Sequence, residues 1–426
     1  MGTLVSANEG RKLGMVKRIP LVGALVLSLG TLFSAPVQAL PFSVMDGYSF
    51  AMGGTGTASG TRGNAVFYNP ALLAASDMPQ DYSLQVPVLG ARFYDKQKVL
   101  KELDKYQYLG LESTFDSALN VYTGGDASAS AIQAVGDATI SLRQQLLNLG
   151  SKPMQREFFG AVVVGIPNKT IGMSLVLDAR VLGGARISVT QHDLDELQRI
   201  LDAATNATID TGEAFRSSDL TSSLLGRGLA IREVALAMAH KVKIYNHEIA
   251  IGVTPKYRQV TSFDYSTALK NADFETNLGQ KDHTAFDLDV GAAKHYGNGW
   301  STGVTIKNLV GQEYQTARGN IIKIKSQARL AVSHKTEYTL VAMDVDLNES
   351  PSTGFDAATQ YLSLGGELNV FDMTRIRIGY RHNMKDSDTS VATFGLGFTA
   401  YGAQMDLAVG ANQDEIDYSA QMGFEF

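Results

Sequence analysis

The chain has no cysteine, a single tryptophan and only 10 prolines in 426 residues. Without Cys there is no disulfide framework, thiolate metal site, thiol nucleophile or lipid-modified anchor cysteine. Repeated apolar runs of about 20 residues are also missing, which excludes a bundle of transmembrane helices. Nor is there an excess of positive charge. Lys and Arg number 37 against 43 Asp and Glu, net −6, so direct nucleic-acid binding is not expected. Catalytic signatures are lacking too, with no G-x-S-x-G, H-E-x-x-H or phosphate-loop motif. Gly395, Gly397 and Ala400 match a dinucleotide fingerprint nominally, but they lie inside a strand pattern with no helix after it. Seven His are scattered along the chain. No enzyme activity, cofactor or metal is expected. Glycine is the residue in excess, at 42, against a usual share of ~7%.

One short apolar run stands at the amino end. Leu21 to Phe33 follow Lys17 and Arg18, and the small-residue site Val37-Gln38-Ala39 comes after. This is the pattern of a secretory signal peptide over 1–39, cleaved near Ala39, with Met1 and Met15 both possible starts. The chain is thus expected to be exported.

Most of the remainder alternates with period two. Tyr418, Ala420, Met422, Phe424 and Phe426 are apolar, and Ser419, Gln421, Gly423 and Glu425 between them are not. Such alternation puts one set on each face of a strand. It recurs over about fourteen segments: 81–94, 155–166, 169–189, 229–243, 246–262, 284–296, 299–311, 326–334, 337–347, 357–371, 373–383, 390–401, 403–412 and 416–426. Short links such as Pro167-Asn168, Tyr245-Asn246 and Gly402 alternate with longer ones such as 95–154, 190–228 and 312–325. Short turns on one side and long loops on the other describe a transmembrane β-barrel, apolar toward lipid and polar toward the lumen. A soluble β-sandwich or propeller is the alternative. It fits less well, because segments of ten or more residues exceed ordinary soluble strands and the second face carries many charges and glycines.

Two long loops read as partly helical. Ala129–Leu149 carries Ile132, Val135, Ile140, Leu142, Leu146 and Leu147 roughly on one stripe. Asp193–Ala204 starts from an N-cap near Asp193 and repeats Leu194, Leu197, Ile200 and Leu201 at helical spacing. They form caps over the external mouth. Either they collect an apolar ligand or contact a partner, or they merely pack the loops.

Residues 40–80 break the strand pattern. Gly53, Gly54 and Gly56 permit tight turns, and Asn69-Pro70-Ala71 marks a turn into a short helix. On their own these residues also suit a mobile lead. The stretch AMGGTGTA, followed by AVFYNPALLA, resembles the start of mature FadL/TodX-type outer-membrane proteins. Leu72 after Asn-Pro-Ala is more similar to a related group named conjugal-transfer TraF-type, distinct from the thioredoxin-like proteins of that name. The motif covers about 30 residues. The resemblance implies a hatch, residues 40–80, plugging a fourteen-stranded outer-membrane barrel, residues 81–426. It implies passive uptake of small hydrophobic molecules of the long-chain fatty acid or hydrocarbon class. The rival expectation is an envelope component of a conjugation or secretion system without a transport role. Gly53, Gly54, Gly56, Asn69, Pro70 and Ala71 would hold the hatch. Gly183 and Gly184, in the third strand, would form either a kink opening the wall sideways or a simple bulge.

Two further groups stand out. Glu367, Arg375, Arg377 and Arg381 fall on the lumen phase of one hairpin, where Glu367 faces Arg375 and Arg377. They serve either as structural pairs or as a track for ions or solutes. Tyr418, Met422, Phe424 and the terminal Phe426 resemble the outer-membrane assembly signal. The expected partners are outer-membrane lipid, the barrel-assembly machinery and a small hydrophobic ligand, for a monomeric protein.

Overall fold

The computed structural model describes residues 45–75, 82–149, 153–166, 170–209, 215–245, 247–355, 357–371 and 373–426. The leader, the Ala39 cleavage site, the Pro167-Asn168 turn and residues 40–44 and 76–80 of the expected hatch lie outside the described residues.

Period-two alternation produces a closed barrel of fourteen antiparallel strands. One arc comprises β1 (Ser83–Asp95), β2 (Met154–Ile166), β3 (Gly172–Ser188), β4 (Ser223–Ile244), β5 (His247–Ala268) and β6 (Gln280–His295). The other comprises β7 (Trp300–Lys307), β10 (Gln327–Lys335), β11 (Thr339–Asp346), β12 (Tyr361–Val370), β13 (Thr374–Asn383), β14 (Val391–Ala400), β15 (Ala403–Ala411) and β16 (Glu415–Glu425). β16 pairs with β1 and closes the ring. Between β7 and β10, β8 (Gln312–Gln315) and β9 (Ile321–Ile324) form a separate hairpin. Among the described residues no helix is long and apolar enough to cross a membrane.

The wall is uneven. β4 and β5 run 22 residues each, whereas β7 and β11 run 8. A tilted strand spans a bilayer in about nine to eleven residues, so the second arc just crosses and the first overshoots. The outward face agrees. Val234, Tyr257 and Phe286 are exposed apolar residues, Phe286 at 73%. Farther along the same strands, toward the long loops, the outward residues become Arg232, Gln259 and Asp282. Tyr296, Trp300, Tyr338, Phe371 and Tyr401 ring the short-turn rim and are exposed, as aromatic girdles are at membrane interfaces. Both β4 and β5 begin or end six residues beyond their sequence-based limits, at Ser223 and Ala268. Alternation does not mark that stretch: Leu224 and Leu225 are adjacent in β4, and Phe263 and Asp264, adjacent in β5, are both buried.

The helices mount on the tall arc. α4 (Val99–Leu109), α5 (Leu111–Thr123), α6 (Ala129–Asn148) and α7 (Gln191–Thr205) share one apolar core with Met154, Ala185, Ile187 and Leu224 of the wall. α4 and α5 were not expected from the sequence, although Val99, Leu103 and Tyr106 have helical spacing and are buried. In α6, Val135, Leu142 and Leu146 are buried, but Ile140 and Leu147 are exposed on the opposite side, so the stripe is narrower than its apolar residues suggest. α7 is capped by Thr190, not Asp193. Asp193 instead turns its carboxylate to the backbone N–H groups of Thr221 (3.0 Å) and Ser222 (2.7 Å), tying the helix to the start of β4.

Candidate functional site

Residues 45–75 fill the short-turn half of the lumen. They hold only three one-turn helices, α1 (Gly47–Phe50), α2 (Ala65–Tyr68) and α3 (Leu72–Ala75). Irregular backbone leaves carbonyls that need donors, and the wall supplies them. Ser419 Oγ donates to Met45 O (2.5 Å), Thr393 Oγ1 to Ala51 O (3.1 Å), Ser333 Oγ to Ala58 O (3.0 Å) and Lys307 Nζ to Phe67 O (2.8 Å). In the other direction, the N–H groups of Gly56 (3.2 Å) and Thr57 (2.9 Å) donate to Asp344.

Lumen glycines let the hatch come this close. A Cβ on Gly252 would stand 2.4 Å from Ala71 N and 2.5 Å from Pro70 C. One on Gly291 would stand 2.0 Å from Asn69 Oδ1, and one on Gly379 2.1 Å from Gly53 N. Asn69 joins hatch and wall, its Nδ2 donating to Thr57 O (2.9 Å) and Ala292 O (3.1 Å) and its Oδ1 accepting from Ala71 N (3.1 Å). Gly53 and Gly54 take φ of 71° and 81°, the left-handed region that a side chain disfavours. Gly56 makes room for the ring of Tyr68, which would lie 2.4 Å from its Cβ.

Charges face the lumen in connected sets. Glu367 and Arg377 are directly opposite in the β12–β13 register and pair at 2.7 Å. Arg377 also meets Asp406 (2.6 Å) and stacks 4.3 Å from the ring centroid of Tyr48 in the hatch. Arg381 pairs with Glu415 (3.2 Å) and Asp417 (3.1 Å). Arg375 does not join Glu367. It sits two pairs nearer the turn, opposite Asn369, and donates to Thr399 Oγ1 (2.8 Å). Asp287 and Asp289 also carry the lumen phase in the sequence, whereas Arg92, Glu157, Glu233, Lys256, Arg258 and Glu415 were not singled out from it. Arg92 meets Glu157 (3.0 Å) and Glu415 (3.1 Å), Lys256 meets Asp289 (2.7 Å), and Arg258 bridges Glu233 and Asp287. Their only sequence signal is the polar phase of each strand.

One lumen tier departs from this polarity. Leu182 of β3, Leu229 and Ile231 of β4 and Val260 of β5 point inward and are buried, Leu229 completely. Below them, toward the hatch, lies a cavity of about 70 Å³. Val176, Phe159, Phe67 and Ile231 line it together with Asp178, Glu233, Lys256 and Lys307. That volume is only about twice a water molecule's share of liquid, so a larger solute needs the hatch or its surroundings to shift. Val176, on the lumen phase of β3, packs with Phe67 and Val66 of the hatch.

The expected kink is not where Gly183 and Gly184 lie. Both stay in register with Arg156 and Gln155 of β2 and with Gly228 and Arg227 of β4, and the ladder is unbroken. A Cβ on Gly183 would stand 2.6 Å from the ring of Phe263, so that glycine accommodates an aromatic on the outward phase of β5, opposite Gly228. The register shift that does occur lies in β1, between Gln85 and Val88. At the carboxyl end, Tyr418, Met422 and Phe426 are exposed on the outward face, and Phe424 stacks on Phe426. Among the described residues no cluster of His, Asp and Glu is arranged to hold a metal ion.

Comparison with known proteins follows the same lines. The family model described as F plasmid transfer operon, TraF, protein matches residues 66–346, more than half of the chain. No curated protein matches by sequence. Among solved structures, a TodX deltaS2S3 mutant monoaromatic hydrocarbon channel is similar in fold, with 11% identity, a TM-score of 0.51, and 89% of this chain and 99% of that one covered. The Pseudomonas putida toluene transporter TodX (10% identity, TM-score 0.49, coverage 90% and 99%) and the CymD monoaromatic hydrocarbon channel (11%, 0.34, 91% and 99%) also match.

Proposed function

The chain belongs to the family of the F plasmid transfer operon protein TraF, and on that premise we propose that it is an outer-membrane channel for small hydrophobic molecules. One observation carries this reading: the inward apolar tier of Leu182, Leu229, Ile231 and Val260. A lumen that passes only water and ions is polar, and burying apolar surface there lowers the free energy of an apolar solute by about 25 cal/mol per Å². Capture at the helical cap, rest on the tier and release past the hatch complete the route. Long-chain fatty acids and hydrocarbons both fall within this class. The apolar outward face of β16, ending at Phe426, suits recognition by the barrel-assembly machinery, and the protein acts as a monomer in outer-membrane lipid.

A second reading has its own support. The family match, the unbroken β2–β3 ladder and the many hatch contacts suit an envelope component of a DNA-transfer or secretion system that passes nothing. Deleting the gene separates the two. The channel reading expects initial uptake of dilute toluene or a long-chain fatty acid to fall severalfold, with restoration by the wild-type chain. Unchanged uptake with lost DNA transfer to recipient cells would establish the second reading and sink the first.

A further inference from the structure

The connection from β7 to β10 folds back into the barrel instead of standing outside it. Asn308, at a φ of 55°, turns the chain, and its N–H donates to Asp289 Oδ1 (2.8 Å). The next N–H, of Leu309, donates to Leu288 O (2.9 Å), which lays the segment along β6. Hairpin β8–β9 then alternates in the usual way. Tyr314, Ile322 and Ile324 are buried, while Glu313 and Lys323 pair on the other face (2.7 Å). The buried face lies on the inward tier of Leu182, Leu229, Ile231 and Val260. The tip is held by the buried carboxylate of Asp264, which accepts from Thr316 Oγ1 and Asn320 Nδ2 at 2.7 Å each.

A hairpin with four-residue strands is not stable alone. Its place depends on three apolar side chains, the Asp264 anchor and a few contacts with β6, among them Lys281 Nζ donating to Gln315 Oε1 (3.2 Å), so it belongs to the elements that open at low cost. What it covers is an apolar surface facing the lumen below the cap. We propose that this tier is a binding site for a small uncharged apolar molecule, and that the hairpin occupies the site as an internal competitor. The ligand binds by displacing Tyr314, Ile322 and Ile324, and matches their bulk: one phenol-sized ring and two short branched chains. The inference rests on the channel reading for its ligand class.

The absence of native Cys makes the test direct. Ile322→Cys in the full chain is a buried, unique thiol whose reaction rate with a water-soluble maleimide reports hairpin displacement. Toluene is the probe. The expected result is a rise of about tenfold in labelling rate with toluene, the mark of a ligand that favours the displaced state. Leu103→Cys in the cap core should show no change. Ile324→Cys serves if the first variant does not fold. Thr316→Ala with Asn320→Ala, which removes the anchor, should raise the rate without toluene. A rate that toluene leaves unchanged overturns the proposal, whether or not the anchor variant is faster. Toluene passage into vesicles is measured alongside. Displacement without passage keeps this site and sinks the channel reading; passage without displacement does the reverse.

Discussion

At the scale of residues, the glycines explain the composition. Their excess was visible in the sequence, but its purpose was not, because alternation tells which face a residue occupies and not what approaches it. Gly252, Gly291 and Gly379 sit at ordinary strand positions, and each receives hatch backbone or Asn69 closer than a Cβ permits. Gly252→Ala is the sharpest test, since its clash is with backbone that no rotamer change relieves. The expected loss is about 1–3 kcal/mol, as for overpacking in a core. It would appear as a lower temperature for the unfolding shift of the barrel on gels, and as faster proteolysis within 45–75. The hairpin pair Glu367–Arg377 was legible because a shared lumen phase and matching strand ends fix the register. Arg375 was misassigned because two residues along the strand carried it to a different partner.

Among the elements, the long strands were the clearest in the sequence and the loop structures the least. Every barrel strand falls within six residues of its period-two segment at either end, since one face meets lipid and the other does not. Hairpin β8–β9 was read as loop because four residues per strand show too little alternation, and its inward placement depends on partners in β3, β4 and β5. The cap helices rest on tertiary contacts too, and α7 shows how. Burial alone would raise the pKa of Asp193, but the hydrogen bonds from Ser222 and Thr221 outweigh it and hold the carboxyl below its ordinary value. A depressed carboxyl stabilises the fold above its unfolded pKa, near 4, and that contribution fades as pH falls through the lower folded value. Docking of α7 should therefore be complete at neutral pH and loosen in acid. Asp193→Asn should show the loosened state at neutral pH, with little further change in acid. Amide exchange of residues 190–205 measures both.

For the whole molecule, barrel and hatch are interdependent. Wall hydroxyls and Lys307 satisfy hatch carbonyls, and Asp344 accepts hatch N–H groups. Removing residues 45–75 therefore both opens the lumen and strips partners from its charges. The expected outcome is a barrel that still inserts but conducts ions in planar bilayers, with steps well above those of the intact chain. Conductance equal to that of the intact protein would mean that the hatch is not the barrier. The fold and the existence of a plug could be read from period and motif. The apolar tier and the unbroken wall at Gly183 could not, because both depend on what neighbouring strands place beside them.

The unequal strand lengths have a consequence for anything approaching from outside the cell. The four cap helices stand on β1–β6, while β10–β16 end near the membrane surface. The exposed relief is therefore a crescent-shaped rampart with a low side. A bulky visitor such as a phage fibre, an antibody or a recipient cell's surface polymer would be steered by shape to the low side. Small solutes would be unaffected. Access at this mouth is sorted first by size and direction, before chemistry has any part in it.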